Sequence, residues 1–201
     1  MNYLAHAYLS GGNDEVKIGN FLGDWVKGSD YLSYSEDIRT GIMLHRNIDT
    51  FTDQHPVVRT SADRFRSRYF RYSGVIIDIL YDHFLASNWS DFCDIPLRDY
   101  VRKMHNIMLN NQGLLPKRLQ DFLPGFMQER WIERYATLEG IRDVLDAMSK
   151  RTSLPKDTEF AIGIIQACYK DFRHEFFDFF DQLIDFVESK FMISIRSFYN
   201  K

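Results

Sequence analysis

Residues 42–53 read IMLHRNIDTFTD and residues 78–85 read DILYDHFL. Both stretches set ionisable groups (His45, Asp49 and Asp53; Asp78, Asp82 and His83) among Ile, Leu and Phe, where an uncompensated charge is costly to bury. In the first, Ile38, Ile42, His45 and Asp49 follow i, i+4, i+7 and i+11, a single stripe of a helix, beside an apolar stripe of Leu44, Ile48 and Phe51. In the second, Val75, Ile79, Asp82 and Ala86 share a face, as do Ile76, Leu80 and His83, and Asp78 lies one turn before Asp82. Neighbouring inward carboxylates raise each other's pKa unless a cation or a hydrogen-bond donor stands between them.

The first third of the chain adds His6, in the apolar NYLAHAYL, and Asp24, one helical turn after Asn20 in IGNFLGDWVKG. Imidazoles and carboxylates pooled from several helices suit Mn²⁺, Fe²⁺, Zn²⁺ or Mg²⁺, and helical bundles build metal sites this way. Blander readings stand beside this one. A histidine on an apolar face is commonly a satisfied core residue, and an i, i+4 His–Asp pair can be purely structural. His55, His105 and His174 stand in polar contexts and read as surface residues. Among other chemistries, no G-x-S-x-G, G-x-x-x-x-G-K-[ST], G-x-G-x-x-G or H-E-x-x-H occurs.

The elements that must carry these residues are helices. Three- and four-residue apolar spacing predicts helices near 2–9, 14–27, 36–54, 57–70, 73–88, 96–110, 117–122, 125–136, 138–149 and 156–198, the last open to a break. Period-two alternation is scarce, and no Asn-Gly or Asp-Gly hairpin signal occurs. The Phe172, Phe176, Phe179, Leu183, Val187 spacing reads as core packing. With 201 residues and no low-complexity linker, the chain is expected to be one all-α domain, its motifs within about 2–90 and a helical remainder over 91–201. A net charge of −3 argues against a general nucleic-acid binder. Cys93 and Cys168 form neither a disulfide framework nor a zinc pattern, and read as buried thiols. No signal peptide or membrane span is expected, which points to the cytoplasm.

MNYLAH, GNFLGDWVKG, GIMLHRNIDTFTD and DILYDHFLASNW resemble, in order and spacing, the acyl carrier protein phosphodiesterase family, an unusual branch of the HD phosphohydrolases. The resemblance implies an HD-like helical bundle and hydrolysis of the phosphodiester that joins 4′-phosphopantetheine to a serine of holo acyl carrier protein. It also implies a divalent cation, typically Mn²⁺, with Mg²⁺ or Fe²⁺ as alternatives. The family's motif residues fall on His6, Asp24, His45, Asp49, Asp82 and His83, with Asp53 and Asp78 also matching. We read His6, Asp24, His45, Asp78 and Asp82 as candidate ligands, and Asp49, Asp53 and His83 as candidate catalytic groups. One departure is plain: the contiguous pair is Asp82-His83, the reverse of the His-Asp order of ordinary HD enzymes.

A cation at such a site acidifies water and offsets charge on a phosphodiester. Arg46, beside His45, and Lys27, after Asp24, are candidates for the phosphate. Residues 59–71, RTSADRFRSRYFR, carry five arginines, and on a continuous helix Arg64, Arg68 and Arg71 form a stripe suited to an acidic carrier protein. The competing readings are an HD-type nucleotide phosphohydrolase, a non-catalytic binder of carrier protein, and a structural helical domain with a polar core.

Overall fold

Two glycines set a close contact between two helices. Residues Asp14–Leu22 form helix α2 and Glu36–Gln54 form α3, capped by the side chains of Asn13 and Ser35 respectively. Where they cross, a Cβ on Gly19 would lie 2.0 Å from the Ile38 carbonyl oxygen, and one on Gly41 would lie 2.2 Å from that of Val16. Only hydrogen fits there, so the backbones touch, and the polar residues of α2 are brought alongside those of α3.

The computed structural model describes residues 3–199, and no strand occurs among them. The start of the expected 2–9 helix therefore lies outside the described residues; α1 runs Tyr3–Leu9 and packs on α2 and α6. Beyond α3 come α4 (Pro56–Asp63), α5 (Arg66–Tyr69) and α6 (Ser73–Ser87). The second half comprises α7 (Leu97–Asn110), α8 (Lys117–Gln128), α9 (Trp131–Arg134), α10 (Leu138–Arg151), α11 (Thr158–Ala167), α12 (Tyr169–Phe191) and α13 (Arg196–Tyr199). Long α12 lies against α3, α4 and α6, and its Phe172, Phe176, Phe179, Leu183 and Val187 are all buried, as their spacing requires. One continuous apolar core runs from Leu4 to Tyr199. No helix of the described residues is long and apolar enough to cross a membrane.

Several boundaries differ from those read in the sequence. Helix α2 stops at Leu22, so Asp24 sits in a turn beyond it. The expected 57–70 helix breaks after Asp63, and Phe70 turns left-handed with φ 48°. The stripe of Arg64, Arg68 and Arg71 is therefore interrupted. Helix α8 continues through Pro124, which lies on its exposed side, while Leu119, Leu123 and Phe126 on the other side are buried. The 156–198 region is three helices, broken at Cys168 and again after Met192, whose φ is 56°. Cys93 is buried, whereas Cys168 is only half-buried, and neither is in a disulfide.

Candidate active site

The chemistry gathers where α1, the turn after α2, and α3 meet. His6 and His45 stack, with ring centroids 4.2 Å apart. Asp49, one turn along α3 from His45, turns Oδ2 to within 3.1 Å of His45 Nε2 and Oδ1 to within 3.2 Å of His6 Nε2. Asp24 Oδ1 lies 3.4 Å from His45 Nε2 on the other side. The turn that carries Asp24 begins at Gly23, where a Cβ would fall 2.1 Å from His45 Cγ, so a side chain there would displace the imidazole. The ligand-capable atoms of His6, His45 and Asp49 all lie within 4.8 Å of one another.

Asn20 decides the tautomer of His6. Its Nδ2 donates to the His6 carbonyl oxygen and to Ser10 Oγ, both at 2.9 Å, which fixes the amide and leaves Oδ1 facing His6 Nδ1 at 2.8 Å. An oxygen there can only accept, so Nδ1 carries the proton and Nε2 offers a lone pair. That lone pair faces a carboxylate oxygen of Asp49, and no hydrogen bond satisfies it. Burial, reinforced by His45 next to it, holds the His6 pKa below the ordinary value, so the ring is neutral. Two lone pairs aimed at one another are what a bound cation would resolve. The residues present fit a divalent cation.

His45 behaves differently. Burial disfavours its charged form, but the carboxylates of Asp24 and Asp49 outweigh burial and raise its pKa to about 9. Asp49 is driven far below the ordinary carboxylate range, because His45 and His6 overcome the cost of its own burial. The hydrogen bond from His45 likewise lowers Asp24. Without a cation, a proton on His45 Nε2 stands between two carboxylates.

This cluster opens into a cleft of about 630 Å³, lined on one side by Asp24, His45, Asp49, Asp53, Val75 and Asp78. The pKa of Asp53 is raised by burial and then by Asp78. A second wall, far along the chain, is largely apolar: Phe122, Trp131, Tyr135 and Met148, with Arg151 and Thr152.

Other expected site residues are occupied elsewhere. Asp82 is wholly buried and accepts the backbone N–H groups of Leu4 at 2.9 Å and Ala5 at 3.2 Å, so it anchors the N-terminal turn of α1. Burial pushes its pKa up to about 7. His83 points to the other side of α6, with Nδ1 against the Tyr135 carbonyl oxygen at 2.7 Å and Nε2 against the Tyr169 hydroxyl at 2.9 Å. Arg46 donates to the carbonyl oxygens of Val26 and Gly28 and lies over the Tyr31 ring, bracing the segment after Asp24. Lys27 is exposed and does not line the cleft. Arg64 forks onto Glu175 at 2.6 and 2.7 Å and stacks on Phe172, whereas Arg68 and Arg71 are exposed. His105 is half-buried beside Phe126 rather than a surface residue. Asn20 was the signal missed: an amide among apolar neighbours, one turn before Asp24.

An all-helical protein with imidazoles and carboxylates at the head of an apolar-walled cleft has the layout of a hydrolase. The model of acyl carrier protein phosphodiesterases matches residues 1–183. Proteins bearing that name resemble the chain over nearly its whole length: one from Yersinia enterocolitica is 34% identical over 94% of this chain and 99% of its own. One from Pectobacterium atrosepticum is 32% identical over the same shares. A third, from Yersinia pestis, is 38% identical over 75% of this chain and 79% of its own. No solved structure matches. The chain belongs to the acyl carrier protein phosphodiesterase family.

Proposed function

We propose that this enzyme removes 4′-phosphopantetheine from holo acyl carrier protein by hydrolysis of the phosphodiester, with a divalent cation, Mn²⁺ foremost, held by His6, His45, Asp49 and Asp24. The observation that carries the cation is the unprotonated His6 Nε2 aimed at Asp49 beside His45. When bound, the cation supplies Lewis acidity, acidifying water and offsetting charge on the phosphodiester. Asn20 keeps His6 in the tautomer that can ligate, and the Gly23 turn leaves the His45 ring its place. Asp53 sits in the cleft with a carboxyl that holds its proton to higher pH than usual, which suits it to deliver a proton to the departing serine oxygen. Inward His and Asp ligands drawn from helices support kinship with the HD phosphohydrolases.

The carrier protein would dock on exposed Arg66, Arg68 and Arg71. Arg71 hydrogen-bonds the Tyr72 hydroxyl, which also meets Ser153, next to Thr152 of the cleft, so this basic edge adjoins the cleft mouth. A carrier protein of fatty acid synthesis as substrate would put the enzyme in the cytoplasm. The test is intact mass of holo acyl carrier protein after incubation with the pure enzyme, with Mn²⁺ or with EDTA. The arm is expected to be lost only with Mn²⁺. Loss in EDTA overturns the cation, and no loss under any metal overturns the substrate.

A further inference from the structure

The cleft is strongly unequal in charge. Asp24, Asp49, Asp53 and Asp78 line it, and Arg151 is its sole guanidinium or ammonium group among the described residues. An anionic phosphoester entering such a space is repelled unless cations face it. The His/Asp cluster would hold one positive charge, and Arg151 brings another to the same cleft.

That far wall is held from behind. Glu129 does not line the cleft, yet it accepts from two residues that do: the Trp131 indole N–H at 2.5 Å, and both terminal nitrogens of Arg151 at 2.7 and 3.3 Å. A guanidinium so bound keeps further N–H donors for another anion. Between Glu129 and Trp131 the backbone passes through Arg130 at φ 52°, a left-handed conformation that a residue with a side chain adopts only at a cost. The cost brings the Glu129 carboxylate and the Trp131 indole to the same spot. Phe122 and Met148 extend the indole surface. The arm of the proposed substrate is a phosphate followed by a dimethyl-bearing carbon and two amides, an anion attached to a largely apolar chain.

We propose that this far wall is the subsite for the phosphopantetheine arm: Arg151 contacts the phosphate, the arm lies along Trp131, Phe122 and Met148, and Glu129 is the positioning residue that holds Arg151 and Trp131 together. The inference rests on the phosphodiesterase reading above. A plain surface ion pair between Arg151 and Glu129 would not distinguish a phosphorylated ligand from its dephosphorylated form. The subsite does.

The test uses the full-length enzyme with Mn²⁺ and holo acyl carrier protein, with free 4′-phosphopantetheine and pantetheine as competing inhibitors. Wild type is expected to be inhibited by phosphopantetheine at a concentration at least tenfold below that for pantetheine, the worth of one charged hydrogen bond. Arg151→Gln should erase that ratio and raise KM about tenfold or more, with Arg151→Lys restoring part of both. Glu129→Gln should raise KM by a smaller factor, and Trp131→Leu should weaken both inhibitors alike. Circular dichroism checks the folding of each variant. If wild type releases the arm while Arg151→Gln keeps the wild-type ratio and KM, the subsite is wrong and the activity stands. If wild type releases nothing, the activity reading falls and the subsite with it.

Discussion

Loading of the cation should expel a proton, and the amount follows from His45. In the metal-free protein this imidazole titrates at about 9, held charged between Asp24 and Asp49. A ligand must offer its lone pair, so at pH 7 a cation has to displace that proton, two pH units below the point where it leaves unaided. Each unit corresponds to about 1.4 kcal/mol, so the displacement costs roughly 2.7 kcal/mol at pH 7, a factor of about a hundred in affinity. His6 is already neutral through burial and the neighbouring His45, and Asn20 keeps its Nε2 unprotonated, so it adds nothing to this cost. Apparent Mn²⁺ affinity should therefore rise about tenfold per pH unit from 6.5 toward 8.5 and flatten near 9. The assay is calorimetric titration with Mn²⁺ in buffers of differing ionisation enthalpy, which yields affinity and proton release together. About one proton should appear at pH 7. Affinity that is flat across this range, with no proton released, would refute the placement of His45 among the ligands.

Three further outcomes are expected. Asp82→Ala removes the acceptor for two buried backbone donors and should destabilise the fold by roughly 2–4 kcal/mol, read as a loss in chemical denaturation, so that any activity lost tracks unfolding; a fully stable Asp82→Ala would show that α1 is held some other way. Gly41→Ala places a methyl 2.2 Å from the Val16 carbonyl oxygen, forces α2 and α3 apart, and should weaken Mn²⁺ binding more than tenfold in calorimetry; unchanged binding would mean the helix contact does not register the ligands. Arg68→Glu with Arg71→Glu should raise KM for holo acyl carrier protein severalfold, and more so at low salt, while hydrolysis of a small phosphodiester stays as it was; equal loss on both substrates would place these arginines in the chemistry instead of in docking.

The parts of the site legible in the sequence were those with a one-sided context. Ile38, Ile42, His45 and Asp49 lie on a helix with an exposed face, so periodicity says which residues turn inward. Helix α6 has no such contrast: Ile76, Ile77, Ile79, Leu80, Tyr81, Asp82, His83, Phe84 and Leu85 are all buried. Burial all round leaves spacing unable to tell the side facing the cluster from the side facing Tyr135, which is why Asp82 and His83 read as site residues. The far wall was illegible for another reason. Trp131, Met148 and Arg151 acquire meaning only when α8 to α10 fold over a cluster built some hundred residues earlier, a contact no local pattern encodes. Likewise, five arginines in a row of thirteen residues suggest one stripe, but the left-handed Phe70 and the pairing of Arg64 with Glu175 divide them between core support and surface.

The anchoring of α1 by Asp82 also sets an order of assembly. His6 rides on a helix of seven residues, too short to persist unaided in water. Its N-terminal turn closes on a carboxylate that the ribosome adds nearly eighty residues later. Asp24, His45 and Asp49 can thus be synthesised and folded together, on α3 and the turn after α2, while His6 is not yet held in place. The emergence of α6 completes the cluster, so a nascent chain ending before residue 82 carries His6, Asp24, His45 and Asp49 yet lacks the carboxylate that fixes the helix of His6.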